Sequence, residues 1–390
     1  MKTVTLVMDQ YGNVNNGTTA TALRFARILM EKGFEVRVLT SVEYNGDYGE
    51  KVYKLNQWKL PIFNPLVESQ GMAFADPNDD IILQAIKDSD VVHIFLPFKL
   101  GCRVRKLCEE HGIPHIAAFH CQPENITYTC HMGKFHLLNN IIYYYFRKFY
   151  NKIDMVHCPS EMIANQLKKH KYTSETDVIS NGVIPEFHPI KVDRPEAFKD
   201  KIVLVSVGRY SGEKRQDIIL DAIWKSKYHK DIVLILCGKG PRRRRLERQS
   251  SRLDNGVIFK FCNQDELLDI LNYADLYIHA SDAEIEGISC IEAIACGLVP
   301  IISDSKLSAA NQFALDERSI FKAGSSSSLA KKIDYFIEHP EEKFALAKEY
   351  AKMGESYEIH HCVDQMVDLY EKAIEMQKNK NNMKQDNVAC

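Results

Sequence analysis

At 390 residues the chain exceeds what one hydrophobic core usually serves, so two domains of ordinary size are expected. A 45% hydrophobic content supplies side chains for both cores, while 50 basic against 52 acidic residues (net charge −2) exclude any global pull toward nucleic acid or an anionic membrane, so such attraction must be local. Eleven cysteines without a C-x-x-C pair argue against a zinc module and for reduced cytosolic thiols, and the opening apolar run ends at Asp9, too early for a signal peptide or a spanning helix.

Along the chain, short β-rich runs alternate with longer helical patterns. TVTLVMD (3–9), EVRVLTS (35–41), VVHIFLP (91–97), PHIAAFH (114–120), MVHCPS (155–160) and DVIS (177–180) form one set of expected strands. KIVLVSVGR (201–209), DIVLILCGKG (231–240), VIFKFC (257–262), LYIHAS (276–281), VPIIS (299–303) and SIFKAG (319–324) form a second. Near-continuous apolar strands separated by helices predict parallel sheets covered on both faces. Two such sets predict an α/β protein of two Rossmann-like, doubly wound domains facing each other across a cleft. The expected boundaries are 1–183 for the first domain, 184–200 for a proline- and charge-rich linker, and 201–356 for the second domain. A helix over about 357–378 is expected to pack back on the first domain, followed by a polar, disordered tail over 379–390.

Ligands of such folds bind where strands end. After the first strand, DQYGNVNNGTTATALRF lacks the G-x-G-x-x-G of dinucleotide binders, which disfavours an NAD-dependent oxidoreductase. Gly17, Thr18 and Thr19 stand where a helix begins, as an anion cradle of backbone amides or as a turn with a threonine cap. In the second domain, VGRYSGEKRQD places Arg209 and Lys214 in a strand-end loop. A guanidinium fork beside an ammonium suits a diphosphate; the alternative is two solvated cations. Further on, SDAEIEGISCIEAIACGLVP (281–300) sets Asp282, Glu284, Glu286 and Glu292 in small and apolar sequence, read as strand, loop and a short helix ended by Gly297. Buried acids need partners. Glu284, the amides of Gly287, Ile288 and Ser289, and Glu292 are expected near one pocket, where carboxylates accept from diol hydroxyls and leave phosphate to the cations. A nucleotide sugar satisfies every part.

At these residues the sequence resembles family 4 of the retaining glycosyltransferases, which have the GT-B fold. The Glu284-x7-Glu292 spacing with Gly287, followed by EAIACGLVPII, is similar to the family signature. VGRYSGEK resembles its diphosphate-binding segment, CGKGP with Gly238 its next strand-end loop, SNGV (180–183) its interdomain hinge, and Phe119–His120 its active-site histidine. The resemblance covers nearly the whole chain. It implies that Glu284 holds hydroxyls of the transferred sugar, Glu292 takes the ribose diol, and Arg209 and Lys214 bind the diphosphate and steady the leaving nucleotide. The loop at Gly17, Gly238 and the amides of Gly287, Ile288 and Ser289 help bind the donor, and His120 sits beside the sugar. By the same resemblance transfer proceeds with retention and needs no metal or other cofactor. Asp282 and Glu286 receive no role. The sequence departs from the family pattern in lacking a glycine pair in the first loop, and in carrying Ile184 for an acid, Arg215 for a frequent glycine, and Glu286 for an apolar or aromatic residue.

The acceptor side is read from GKFHLLNNIIYYYFRKFYNKID (133–154). Leu137, Leu138, Ile141, Ile142, Tyr145, Phe146 and Phe149 fall on one helical stripe, with Lys134, Arg147, Lys148 and Lys152 around it. The stripe suits either an anionic membrane interface or packing on the protein's own sheet. The basic run GPRRRRLERQ (240–249) reads as a solvated helix face. LPFKLG, FHCQPENITY and SAANQFALDERSIF resemble a bacterial subgroup that glucosylates cholesterol and diacylglycerol. That likeness implies UDP-glucose as donor, a sterol or diacylglycerol acceptor, an α-glycolipid product, and a cytoplasmic enzyme peripheral to the inner membrane face. A polysaccharide or other soluble glycan acceptor, and nucleotide-sugar binding without transfer, remain the alternatives.

Overall fold

The computed structural model describes residues 2–12, 17–59, 72–129, 133 and 135–388. The chain divides into two compact units: unit 1 holds 1–121, 140–181 and 360–390, and unit 2 holds 122–139 and 182–359.

The first half of the chain runs β1 (Thr3–Val7), α1 (Gly17–Glu31), β2 (Glu35–Thr40), β3 (Lys51–Lys54), α2 (Asp79–Ile86), β4 (Val91–Ile94), α3 (Lys99–His111), β5 (His115–Ala118), α4 (Pro123–Thr129), α5 (His136–Tyr150), β6 (Met155–Cys158), α6 (Glu161–Lys169) and β7 (Glu175–Val178). The seven strands of unit 1 form one parallel sheet in the order β3-β2-β1-β4-β5-β6-β7, so the winding reverses between β1 and β4. Val4, Leu6, Val38, Val92, Ile94 and Ile116 are wholly buried, as the apolar strands require. Each such aliphatic side chain contributes roughly 1.5–3 kcal/mol on burial. Asn78 and Ser160 cap α2 and α6 with side-chain oxygens.

The second half runs β8 (Ile202–Val207), α7 (Gln216–Lys225), β9 (Ile232–Cys237), α8 (Arg243–Ser250), β10 (Val257–Lys260), α9 (Gln264–Tyr273), β11 (Leu276–His279), β12 (Ala283–Glu284), α10 (Ile288–Ala295), β13 (Pro300–Ser303), β14 (Leu307–Ser308), β15 (Ile320–Phe321), α11 (Ser326–Glu338), α12 (Pro340–Glu355) and α13 (Ile359–Val388). Six parallel strands in the order β10-β9-β8-β11-β13-β15 make the sheet of unit 2, which reverses between β8 and β11. A separate two-stranded ladder pairs β12 with β14. An Asn263–Glu266 capping box opens α9.

Four features differ from the sequence expectation. The strand β3 was not anticipated: Lys51 and Lys54 flank only two central residues of an edge strand, which hides the pattern. Residues 122–139, placed by sequence in the first domain, belong to unit 2. Residues 184–200 are not a free tether: Phe187 is buried in the core of unit 2, the Ile190 amide donates to Asn272 at 2.8 Å, and Arg194 pairs with Asp275 at 3.1 Å. The tail expected to be disordered from 379 is instead helical, as α13 continues to Val388.

In unit 2, the last two residues of SNGV, Gly182 and Val183, approach the chain at 357–359 closely. The Val183 amide donates to the Tyr357 carbonyl (2.8 Å), and the Ile359 amide to that of Val183 (2.9 Å). Gly182 has φ +72°, and a Cβ there would lie 2.8 Å from the Ile359 Cα, so glycine is demanded twice over.

Candidate active site

In unit 2 the carboxyl ends of β8 and β11 flank the reversal of strand order, where a doubly wound sheet opens a crevice. The loops that follow β8 and β9 come together there. The Gly208 amide donates to the Cys237 carbonyl at 2.9 Å, and a Cβ on Gly238 (φ +156°) would lie 2.1 Å from the Gly208 carbonyl oxygen. The glycine at 238 therefore lets two strand-end loops touch. Gly240 is also crowded: a Cβ there would lie 2.6 Å from the backbone N and O of Tyr210.

Lys214 and Glu284 meet in this region. The ammonium donates to both carboxylate oxygens, at 2.8 and 2.7 Å, and both side chains are largely buried. Arg209 pairs with Glu213 at 3.1 Å, and Ser211 donates to the same carboxylate oxygen. Burial pushes the Glu213 carboxyl upward, but Arg209 and the Ser211 hydroxyl outweigh it and hold the group below its ordinary value. The two cations anticipated for a diphosphate thus rest on internal carboxylates.

Asp282, left without a role by sequence, is structural. Its Oδ2 accepts from Arg215 Nη1 (2.9 Å) and from the Tyr128 phenol (3.0 Å), and its amide donates to the Glu213 carbonyl (2.7 Å). Arg215 occupies the left-handed region at φ +50°, which explains why glycine is frequent in its place, and its guanidinium also reaches Asp217. Tyr128 lies on α4, within the segment that joins unit 2, as does Gln122, whose amide donates to the Leu307 carbonyl at 3.1 Å.

Gly287 starts α10 at φ +104° without a side-chain cap, and a Cβ there would crowd Ala310 at 3.0 Å. Ile288 and Ser289 form the first turn, whose amides point out of the helix end. The Ser289 hydroxyl is already engaged: it accepts from the Tyr277 phenol at 2.9 Å and faces the Val207 carbonyl at 3.4 Å. What Ser289 offers a ligand is its amide. Glu292 is buried one turn further on, and Glu286 is 1% exposed.

Tyr277 and His279 were missed by the sequence reading. Both project from one face of β11, and Tyr277 Oη lies 3.3 Å from His279 Nδ1. Burial pushes the His279 ring down to about 4, with Glu284 opposing and Lys214 reinforcing the shift. Two polar-tipped rings alternating on an otherwise apolar strand beside the acidic loop were the available signal.

Gly17 and His120 lie in unit 1. Gly17 is the first residue of α1, and a Cβ there would meet nothing within 4 Å, so glycine at 17 is not a packing requirement. The rest of its loop, 13–16, lies outside the described residues. His120 follows β5, stacks on Phe95 (centroids 5.4 Å apart) and meets His157 edge to face at 5.3 Å. Burial first, then the charge of His157, holds its ring well below the usual imidazole range. Neither ring nitrogen has a partner among the described residues, and no group of three metal-ligating side chains converges among them.

The stripe on α5 is divided. Leu137, Ile141, Tyr144 and Tyr145 are exposed, Leu138, Ile142 and Phe146 are half-buried, and Phe149 is buried. Lys148 lies over both Tyr144 and Tyr145, and Arg147 over Tyr144. Lys134 lies outside the described residues. The 240–249 run matches its reading, with Leu246 buried and Arg243 paired to Glu247 on the solvent side of α8.

The profile described as "Glycosyltransferase Family 4" matches residues 15–187, and that described as "Glycosyl transferases group 1" matches residues 189–358. The chain belongs to glycosyltransferase family 4. The glycosyltransferase is 26% identical over 304 residues to the "Alpha-monoglucosyldiacylglycerol synthase" of Streptococcus pneumoniae (strain ATCC BAA-255 / R6), covering 73% of this chain and 67% of that one. It is 44% identical, over 40% of its own length and 98% of the other chain, to the structure of the catalytic domain of cholesterol-alpha-glucosyltransferase from Helicobacter pylori, with a TM-score of 0.39. At 14% identity it superposes on Anabaena HepE with a TM-score of 0.75, over 95% of this chain and all of that one. The last likeness concerns the fold, and the two parallel-sheet units of the glycosyltransferase match the GT-B architecture.

Proposed function

We propose that the glycosyltransferase moves a hexose, in the first instance glucose from UDP-glucose, onto a membrane lipid of sterol or diacylglycerol type, giving an α-glycolipid. The observation that carries the lipid reading is α5, whose exposed Leu137, Ile141, Tyr144 and Tyr145 are accompanied by Lys148 and Arg147. An apolar aromatic face rimmed by cations suits the interface of an anionic bilayer, and no helix among the described residues is long and apolar enough to cross one. The same reading assigns the enzyme a peripheral place on the inner face of the cytoplasmic membrane. The likeness to the pneumococcal alpha-monoglucosyldiacylglycerol synthase supports a lipid acceptor.

Unit 2 takes the donor. Lys214 and Arg209 turn from their carboxylates to the diphosphate, and Glu284, released from Lys214, accepts hydroxyls of the sugar. The amides of Gly287, Ile288 and Ser289 and the loop at Gly238 add to phosphate binding, and Glu292 takes the ribose diol. Gly17 and the neutral ring of His120, in unit 1, are donor-side residues by the family resemblance. The bond from the anomeric carbon to the phosphate oxygen breaks as the bond to the acceptor oxygen forms on the same face, and the acceptor proton passes to the departing phosphate. The cations favour this step because negative charge grows on the leaving group. No metal, cofactor or enzyme nucleophile is assigned.

Flotation with vesicles tests the membrane part of the reading. The protein is expected to float with anionic vesicles at low salt and to be released at high salt; absence of binding to vesicles of any composition contradicts it.

A further inference from the structure

The hydrogen bonds around Tyr277 fix the chemistry of its neighbour. The phenol has one hydrogen, and it goes to Ser289 Oγ at 2.9 Å. The 3.3 Å contact between Tyr277 Oη and His279 Nδ1 is therefore made by an Nδ1–H donating into the phenol oxygen. His279 is 2% exposed and neutral, because burial makes the charged ring costly. A neutral ring protonated at Nδ1 carries a bare lone pair at Nε2. That Nε2 is buried and has no hydrogen-bond partner among the described residues.

A buried acceptor left unpaired is unfavourable in a folded protein and calls for a physical reason. Leucine in this place would fill the space without the penalty. The surroundings supply the reason: β11 ends beside the reversal of strand order, and the charges that act on the ring are those of Glu284 and Lys214. When those two charges turn from each other to a bound donor, the groups that arrive beside the ring are sugar hydroxyls, which are donors.

We propose that His279 is a further donor-site residue, whose Nε2 accepts a hydroxyl of the sugar carried by the bound nucleotide. The inference rests on the donor reading of unit 2. It distinguishes sugar from phosphate: a lone-pair acceptor gains nothing from a phosphate oxygen, so His279 discriminates between a nucleotide sugar and the free nucleoside diphosphate.

The test uses the full chain with UDP-glucose, its monodeoxy analogues and UDP, read by titration calorimetry. His279→Asn keeps a donor where Nδ1 stood but has no atom at the Nε2 position, whereas His279→Gln reaches that position with an amide oxygen. H279N is expected to weaken UDP-glucose about 5- to 10-fold and leave UDP unchanged, and H279Q to recover most of the loss. On the unsubstituted protein, one monodeoxy donor is expected to lose a similar factor, and that donor alone should be indifferent to H279N. Equal losses for UDP and UDP-glucose, equal behaviour of the two variants, or no deoxy position coupled to residue 279 overturns the proposal. If UDP-glucose binds and H279N binds it as well, only this inference fails; if the unsubstituted protein binds no nucleotide sugar, the donor reading fails with it.

Discussion

Lys214 and Glu284 hold each other at 2.7 and 2.8 Å in a largely buried setting, and this pair is the centre of the proposed donor site. On the proposed reading, a diphosphate offers Lys214 a doubly charged partner and the sugar hydroxyls offer Glu284 its donors, so binding exchanges one satisfied arrangement for another. Lys214→Ala is expected to lower kcat by about two to three orders of magnitude, the range for loss of a group that stabilises developing negative charge, while the protein stays folded. Near-normal turnover with a normal Tm contradicts the assignment. Arg215 gives a second prediction. Its φ of +50° strains any side chain, while its ion pairs with Asp282 and Asp217 are gained only by arginine. Arg215→Ala loses the pairs and keeps the strain, whereas Arg215→Gly loses the pairs and relieves it. R215G should therefore exceed R215A in stability by about 1 kcal/mol in denaturant unfolding. At this scale the sequence disclosed the acids and cations of the signature by type and spacing. It did not disclose that Asp282 belongs to Arg215 and Tyr128, because that pairing depends on a left-handed backbone and on a segment some 150 residues distant.

The helix α5 shows what periodicity conveys about an element and what it omits. A stripe of apolar residues was legible, yet membrane contact and internal packing were equally consistent with it, and the structure buries part of the stripe and leaves the rest exposed. Phe149 is in the core, whereas Leu137, Ile141 and Tyr145 are exposed. Ile141→Ser with Tyr145→Ser should leave the Tm within a degree or two, since exposed side chains contribute little to folding, and should weaken vesicle binding several-fold. A large loss of Tm with unchanged flotation would show that the face packs inside the protein. The long strands β8 and β9 were readable because both faces are covered and the apolar run is unbroken. The edge strand β3 was not, since two lysines enclose its short core. The 184–200 segment looked like a tether because proline and charge dominate its composition, whereas its burial hangs on Phe187 and on backbone and arginine contacts that composition does not report.

Across the whole molecule, a net charge of −2 gives no long-range attraction to an anionic surface, so on the proposed reading vesicle binding comes from local cations such as those of α5 and weakens as salt rises. The pH response is also a property of the whole. His93, His120 and His157 are buried in unit 1 with ring values depressed chiefly by burial, that of His157 to about 4. An unfolded chain takes up protons near the ordinary histidine value of 6.5 and the folded one does not, so stability is full above that pH and declines as pH falls toward 4. Asp9 acts in the opposite sense. Burial raises it to about 6 against the Ala75 amide, so its contribution is present below the ordinary carboxyl range and is lost as pH rises through 6. It offsets about one of the three histidines, and the denaturant midpoint should fall between pH 6.5 and 4; a flat or rising midpoint would contradict the burial of neutral rings.

The central claim, transfer of a hexose from a nucleotide sugar to a membrane lipid, is tested most directly by mass spectrometry of products. The protein is incubated with a panel of UDP- and GDP-sugars, a lipid extract containing sterol and diacylglycerol, and a soluble glycan. The account predicts a lipid heavier by one hexose residue, formed with UDP-glucose and absent with Lys214→Ala. Growth of the soluble glycan with every lipid unchanged, or a donor left intact in the presence of all acceptors, would contradict it.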